Sequence, residues 1–371
     1  MSVFRGEINQ EHFFVIISML FLLSRCFKED GLAVFHCENT LYLFYVARFT
    51  VLMTHSMILT IEEKFGLENV RCNLLPAGVN DTYLVESDQA KYILRGYRSS
   101  HRSLLQIQEE VNLLLVLKNH GVSVSYPVPD LSGAFIQNIA ASESDKHFVL
   151  FTYAPGSSVK LLSHDQLQSL GCEMAKFHNV SSHAKIGGSR WHFDFETTLF
   201  RPLEMLKPYF ADNMEDYFWL QESALKSESV LSQFDTSEFS NGYCHFDFLP
   251  KNFHFDNDRI TLFDFDFMGS GWLVNDIMSF WQHLILDVYN KRTSLEDAKN
   301  SYAVFLISYH SIRPFSEAEL QSVPYLSLGF WLFYMGFHTT HEHFHRFLQP
   351  DHLTKVARFL RHLVKEYWDD V

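Results

Sequence analysis

The chain has 371 residues, of which 47% are hydrophobic and 20% charged, and its formal net charge is −14. That length allows two compact units with cores of their own, and the ordinary charged fraction excludes wholesale disorder. The acidic balance, with no long Lys/Arg run, argues against nucleic acid, whose phosphates would be repelled, and suits a cationic small partner. Cys26, Cys37, Cys72, Cys172 and Cys244 are scattered without a CxxC pair. Such a set fits buried thiols in a reducing, cytoplasmic setting better than a disulfide framework.

Residues 13–23 form an apolar run broken only by Ser18. It is shorter than the roughly 20 apolar residues a spanning helix needs, and Glu7 and Glu11 do not suit the basic start of a signal peptide. Residues 1–56 read as an extension outside the domain, with initiation near Met53 or Met57; a membrane anchor is the alternative. From residue 57 the pattern becomes regular. Residues 58–65 have helical spacing and stop at Gly66. Strands follow at 71–76, 82–86 and 91–97, separated by the turns at 77–81 and 87–89. Residues 104–117 predict a helix, and 134–139 and 148–153 two more strands. The pattern is a five-stranded antiparallel sheet with one helix after the third strand. Beyond Gly156 the character is helical: 165–178, a broken stretch over 203–231, then helices or broken helices over 274–288, 294–309, 317–345 and 351–368. Residues 243–266 read as strand–loop–strand. The expected fold class is α+β with two lobes, residues 57–154 and 155–371.

The polar residues concentrate in His245-Phe-Asp247-Phe-Leu-Pro-Lys-Asn252 and Leu262-Phe263-Asp264-Phe265-Asp266. Phosphoryl transfer needs a carboxylate near the acceptor hydroxyl, oxygen ligands for Mg²⁺, and a cation for the phosphates. Asp247 suits the hydroxyl; Asn252 and Asp264 suit the metal. Asn252 follows Asp247 by five residues and Asp264 follows Asn252 by twelve. The first spacing is that of the H-R-D-x-x-x-x-N loop of protein kinases, and Asp264 falls where the Asp of D-F-G would. Here the triplet is D-F-D, which lacks the glycine and points away from protein kinases.

These motifs resemble the aminoglycoside phosphotransferase and choline kinase family of kinase-like enzymes, with an H-G-D-x-x-x-x-N loop followed by an apolar-D-F-[DE] strand. The resemblance spans residues 73–368. Phe246 replaces the usual small residue after His, and Lys251 stands where Gly is frequent. The resemblance implies a bilobal kinase-like fold that uses ATP and Mg²⁺, with Asp247 as the catalytic base and Asn252 and Asp264 as metal ligands. It implies that Arg95 in the third strand binds phosphate, with Arg98 as the fallback. Glu110 would pair with that cation, and Glu109 is the rival. Gly78 and Asn80 lie in the turn that would cover the phosphates, and Thr152 and Tyr153 at the hinge that would meet adenine. Asp276 would brace the catalytic loop, His245 and His178 would be structural, and Asp266 would assist at the metal or lie behind it. The expected acceptor is a small-molecule hydroxyl on an amino alcohol, aminoglycoside or sugar-like compound. A protein Ser/Thr kinase and a nucleotide-binding pseudokinase are the alternatives within this fold.

A competing motif is His341-Glu342-His343-Phe344-His345, which satisfies H-E-x-x-H. On a helix, His341 and His345 would share a face and Glu342 could activate a zinc-bound water. His338, His341 and His345 also recur at helical spacing, so a histidine-lined acceptor pocket is a second reading and plain packing a third.

Overall fold

The computed structural model describes residues 56–76, 78–139 and 146–368. The expectations for the N-terminal extension fall on residues 1–55, outside the described residues. A helix over residues 56–65 (α1) ends at Gly66, whose φ of +64° supplies the left-handed turn-off. Strands β1 (Arg71–Leu74), β2 (Asp81–Glu86), β3 (Lys91–Tyr97), β4 (Ile136–Ile139) and β5 (Lys146–Thr152) form an antiparallel sheet in the order β1-β2-β3-β5-β4. Helix α2 (Leu104–Asn119) follows β3. Its start is fixed by a capping box in which Ser103 and Gln106 satisfy each other's backbone N–H.

Strand alternation decides what Arg95 faces. Leu94, Phe148 and Leu150 pack with Met57 and Ile61 of α1 in one buried cluster. Val149 and Phe151 belong to the main core. Because successive side chains point to opposite faces, Arg95 projects away from α1 toward the second lobe.

That lobe contains α3 (His164–Ser181), β6 (Trp191–Phe193), α4 (Arg201–Leu206), α5 (Met214–Leu231), β7 (Asn241–Cys244), β8 (Phe253–Asp256), β9 (Arg259–Leu262) and β10 (Gly269–Trp272). Helices α6 (Val274–Tyr289), α7 (Leu295–His310), α8 (Glu317–His338) and α9 (Pro350–Tyr367) complete it. Ser163/Gln166 and Ser316/Glu319 repeat the capping box at the starts of α3 and α8. β6, β10 and β7 form a small sheet, and β8 and β9 a hairpin. The dense aromatics build the interior: Phe246 stacks on Phe193 with ring centroids 3.8 Å apart, and Phe333 meets both edge-on. Gly336 lets α8 close on α4, since a Cβ there would lie 2.8 Å from the Pro202 side chain.

One extended segment ties the lobes together. Ser125 donates its N–H to Leu262 at the end of β9, Val128 donates to Leu150 in β5, and Leu262 donates back to Ser123. Gly156, with φ +81°, passes so close to the Phe255 carbonyl that any side chain would collide with it. Among the described residues no helix is long and apolar enough to cross a membrane.

One sequence reading fails in the helical lobe. The stretch 317–345 is a broken helix: α8 stops at His338, and Glu342–Leu348 is a 3₁₀ segment preceded by His341 in extended conformation. With three residues per turn, His341 and His345 do not share a face. The H-E-x-x-H zinc reading is thereby overturned, and no group of three or more His, Cys, Asp or Glu among the described residues is placed to hold a metal. His341 instead packs edge-on against His101, at 5.1 Å, and tilted on Phe337, at 5.0 Å. The stretch 203–231 is broken as expected, into α4 and α5.

Candidate active site

The segment between β7 and β8 is shaped by Asp276, fully buried in the first turn of α6. Its Oδ2 accepts the N–H of His245 at 2.9 Å, and its Oδ1 that of Phe246 at 2.6 Å. Nε2 of His178 also meets Oδ2, at 3.0 Å, while Nδ1 of His178 meets the Tyr309 hydroxyl at 2.7 Å. Phe246 has φ +65°, a strained value for a bulky residue. The two Asp276 bonds and the buried ring of Phe246 hold that strain and fix Asp247, which with Asn252 lies behind Lys251 and does not itself line the cavity between the lobes. His245 completes the brace: its Nε2 lies 3.0 Å from the Phe263 carbonyl, so it donates there, and its Nδ1 accepts the Asp247 N–H at 3.3 Å. This pattern places the donor on Nε2 and the acceptor on Nδ1.

The β8/β9 hairpin explains the twelve-residue spacing. Phe253 pairs with Leu262, and Phe263 donates its N–H to Asn252 at 2.9 Å. Asn252 and Asp264 are thus brought to the same end of the hairpin. The Asn252 side-chain NH₂ donates to the Asp247 carbonyl at 2.8 Å and to Asp247 Oδ2 at 2.7 Å. Lys251 Nζ also meets Oδ2, at 2.7 Å. The other carboxylate oxygen of Asp247, Oδ1, is buried and has no hydrogen-bond partner among the described residues. The Tyr334 hydroxyl is buried beside the Asp247 carboxylate without a well-aligned hydrogen bond to it. Burial, followed by the Asp247 charge, pushes its pKa well above the usual tyrosine value. Asp264 takes φ +63° after β9, and its Oδ1 accepts from Arg95 at 2.8 Å.

Arg95 is nearly buried, and its second bond runs to Glu110 Oε1 at 3.0 Å. The structure pairs Glu110, not Glu109, with this cation. Glu109 turns to the neighbouring loop and accepts the N–H groups of Gly188, Ser189 and Arg190 at 2.7–3.1 Å. Gly187, with φ +148°, leaves room for that carboxylate. Glu110 Oε2 also accepts from Tyr97 at 3.1 Å and from Arg190 at 2.8 Å. Arg190 continues to the Asp266 carbonyl at 2.6 Å. Asp266 is buried against His101 at 2.7 Å and Arg102 at 3.0 Å. Burial alone would raise its pKa, but Arg102, His101 and Arg190 outweigh that and hold it well below the usual carboxylate range. Asp266 therefore lies behind the site as an anchor between lobes. Arg98, the fallback cation, pairs with Asp81 at 2.9 Å instead of entering the cleft.

The cleft between the lobes encloses about 350 Å³. Leu84, Ile93, Leu114 and Phe151 give it apolar walls, and Arg95, Asp264 and Lys251 line its polar end. Tyr153 and Ala154 line it as well; Thr152 does not. The Thr152 N–H donates to Tyr126 at 2.9 Å and its carbonyl accepts from Ser125 at 2.5 Å, which removes it from the hinge role expected of it. Gly78 and Asn80 do not line the cavity, whereas Leu75 and Thr82 beside them do. Asn252 and Asp264 offer amide and carboxylate oxygens, the hard donors that Mg²⁺ takes, and the apolar walls beside a cation suit a nucleotide. Ser125 and His254, which line the cleft, and Arg190 and Tyr334, which lie behind it against Glu110 and Asp247, escape sequence reasoning, because they belong to no motif and only the fold brings them here.

Residues 72–315 match the phosphotransferase enzyme family (APH). The chain belongs to that family. Amicoumacin kinase of Bacillus subtilis is 26% identical over 221 residues, covering 58% of this chain and 63% of the relative. The solved structure of amicoumacin kinase hAmiN with AMP-PNP, Ca²⁺ and Ami superposes with a TM-score of 0.63 at 20% identity, covering 84% of this chain and 93% of the other. A microcompartment-associated aminopropanol kinase gives a TM-score of 0.63 at 20% identity, covering 85% and 94%. The phosphotransferase thus has the kinase-like fold, with its candidate site in the cleft between the lobes.

The phosphotransferase also holds one buried histidine, His178, and two half-buried ones, His338 and His341, that resist protonation. Burial lowers the pKa of His178, and lowers His338 and His341 to about 4. The ordinary value is about 6.5. Between these values the unfolded chain binds more protons than the folded one, so stability rises with pH through that window. Chemical denaturation is expected to give a lower midpoint at pH 5 than at pH 7, with little change from pH 7 to 8. Equal midpoints at pH 5 and 7 would contradict the burial argument.

Proposed function

We propose that this phosphotransferase moves the γ-phosphoryl group of MgATP to a hydroxyl of a small molecule. The observation that carries the reading is the Asp247 carboxylate: one oxygen is held by Asn252 and Lys251, and the other is buried without a well-aligned donor, with the Tyr334 hydroxyl beside the carboxylate. A buried acceptor atom without a donor is costly, so such an oxygen is suited to receive the O–H of a bound acceptor. MgATP supplies the phosphoryl group and its leaving group. Arg95, fixed by Glu110, binds phosphate oxygens, and Asn252 and Asp264 hold the cation. Tyr153 and Ala154 border the base. Asp247 orients the acceptor hydroxyl and takes its proton.

A small acceptor is favoured over a protein because the D-F-D triplet has no glycine hinge. The kinship with amicoumacin kinase and the likeness to aminopropanol kinase favour it too. The net charge of −14 favours an acceptor with a cationic group, such as an amino alcohol or aminoglycoside. The test is an ATP-consumption screen of the full-length protein over amino alcohols, aminoglycosides and sugars, with the phosphorylated product identified by mass. At least one compound is expected to raise consumption above the background with water. A screen in which none does, while MgATP binds, would favour a nucleotide-binding pseudokinase.

A further inference from the structure

Lys251 has no counterpart in the chemistry assigned so far. It lies in the Pro250–Asn252 turn, between the residue proposed as base and the residue proposed as metal ligand. Its Nζ is 2.7 Å from Asp247 Oδ2, and its side chain lines the same cavity as Arg95 and Asp264. The side chain is 60% exposed, so the ammonium is not consumed by burial in the core. An ammonium has three donors, and Asp247 takes one. A phosphoryl group in transit must pass between the acceptor at Asp247 and the cation at Asp264, and this ammonium meets the first and shares the cavity with the second.

We infer that Lys251 is a ligand of the γ-phosphate, a second phosphate-binding cation that faces Arg95 across the cleft. The inference rests on the reading of the cleft as an MgATP site. Lys251 bridges Asp247 Oδ2 and the phosphoryl oxygens, drawing the group toward the acceptor and offsetting its charge as it moves. No bond to Lys251 forms or breaks. The new bond joins the acceptor oxygen to phosphorus, the bond to the β-phosphate oxygen breaks, and the acceptor proton passes to Asp247.

A role confined to propping Asp247 would be blind to the number of phosphates. A γ-phosphate ligand is not. The test is calorimetric titration of the full chain, wild type and Lys251→Met, with AMP-PNP and with ADP, each with Mg²⁺. Lys251→Met is expected to weaken AMP-PNP binding about tenfold, the loss of one charge-assisted contact, and ADP binding less than about twofold. Lys251→Arg, which keeps the charge, is expected to retain most of the preference for AMP-PNP. Equal losses for the two nucleotides, or no loss for either, would overturn the assignment, provided the variant's thermal unfolding matches the wild type. Should that midpoint fall, the Lys251→Arg result decides by the same criterion. A wild-type protein that binds neither nucleotide would overturn the MgATP reading itself, and this assignment with it.

Discussion

Asp247→Ala is expected to abolish phosphate transfer while leaving MgATP binding within a few-fold of wild type. The carboxylate is buried, and on the proposed assignment it is the group that takes the proton from the acceptor. General-base assistance contributes about 10²–10⁴-fold, so turnover with any acceptor found in the screen should fall by at least that order. The nucleotide contacts assigned to Arg95 and Asp264 do not pass through Asp247, which is why binding should survive. Lys251 and Asn252 lose a partner in the variant, but Asn252 keeps its bond to the Asp247 carbonyl, so the loop retains part of its brace. Turnover at the wild-type rate would remove Asp247 from the mechanism.

The second large effect is expected at Asp264. Asp264→Ala removes the carboxylate at the polar end of the cleft, and with it the part of nucleotide affinity that depends on Mg²⁺. Loss of an outer partner of a bound metal commonly costs about 10–100-fold in affinity, and loss of a direct ligand should cost no less. Titration of nucleotide with and without Mg²⁺ separates the two contributions. The Mg²⁺-dependent increment should vanish, and binding without Mg²⁺ should not weaken. An unchanged increment would leave the metal assigned to the wrong residue.

The fold was largely legible because its signals are local. Lys91–Tyr97 reads as a strand after the turn at 87–89, and 104–117 as a helix, and both elements are found there. The core of the site was legible for a different reason: the spacing from Asp247 to Asn252 is one turn, and that from Asn252 to Asp264 one hairpin, so fixed distances in sequence become fixed distances in space. Glu109 and Glu110 were not separable. Neighbours on a helix point about 100° apart, both are buried, and only the position of the loop at 187–190 decides which one meets Arg95. Arg190 had no signal at all, because it acts through partners about 80 residues away in sequence. The histidine cluster misled because a four-residue spacing means one face only on an α-helix, and the chain leaves α8 at His338 before the motif begins.

The contact between Arg95 and Asp264 has a consequence for how ligands arrive. The guanidinium commits one donor to this carboxylate, so on the proposed assignment a triphosphate and Asp264 compete for the same arm. A cation that draws Asp264 to itself releases that arm for phosphate. Cation and nucleotide are then linked ligands, each tightening the other by the same factor, whichever binds first. A nucleotide without its cation must displace the carboxylate and remain beside it, two like charges in one cleft. The ion pair thereby acts as a gatekeeper, favouring the metal complex of the nucleotide over the bare anion before any acceptor is bound.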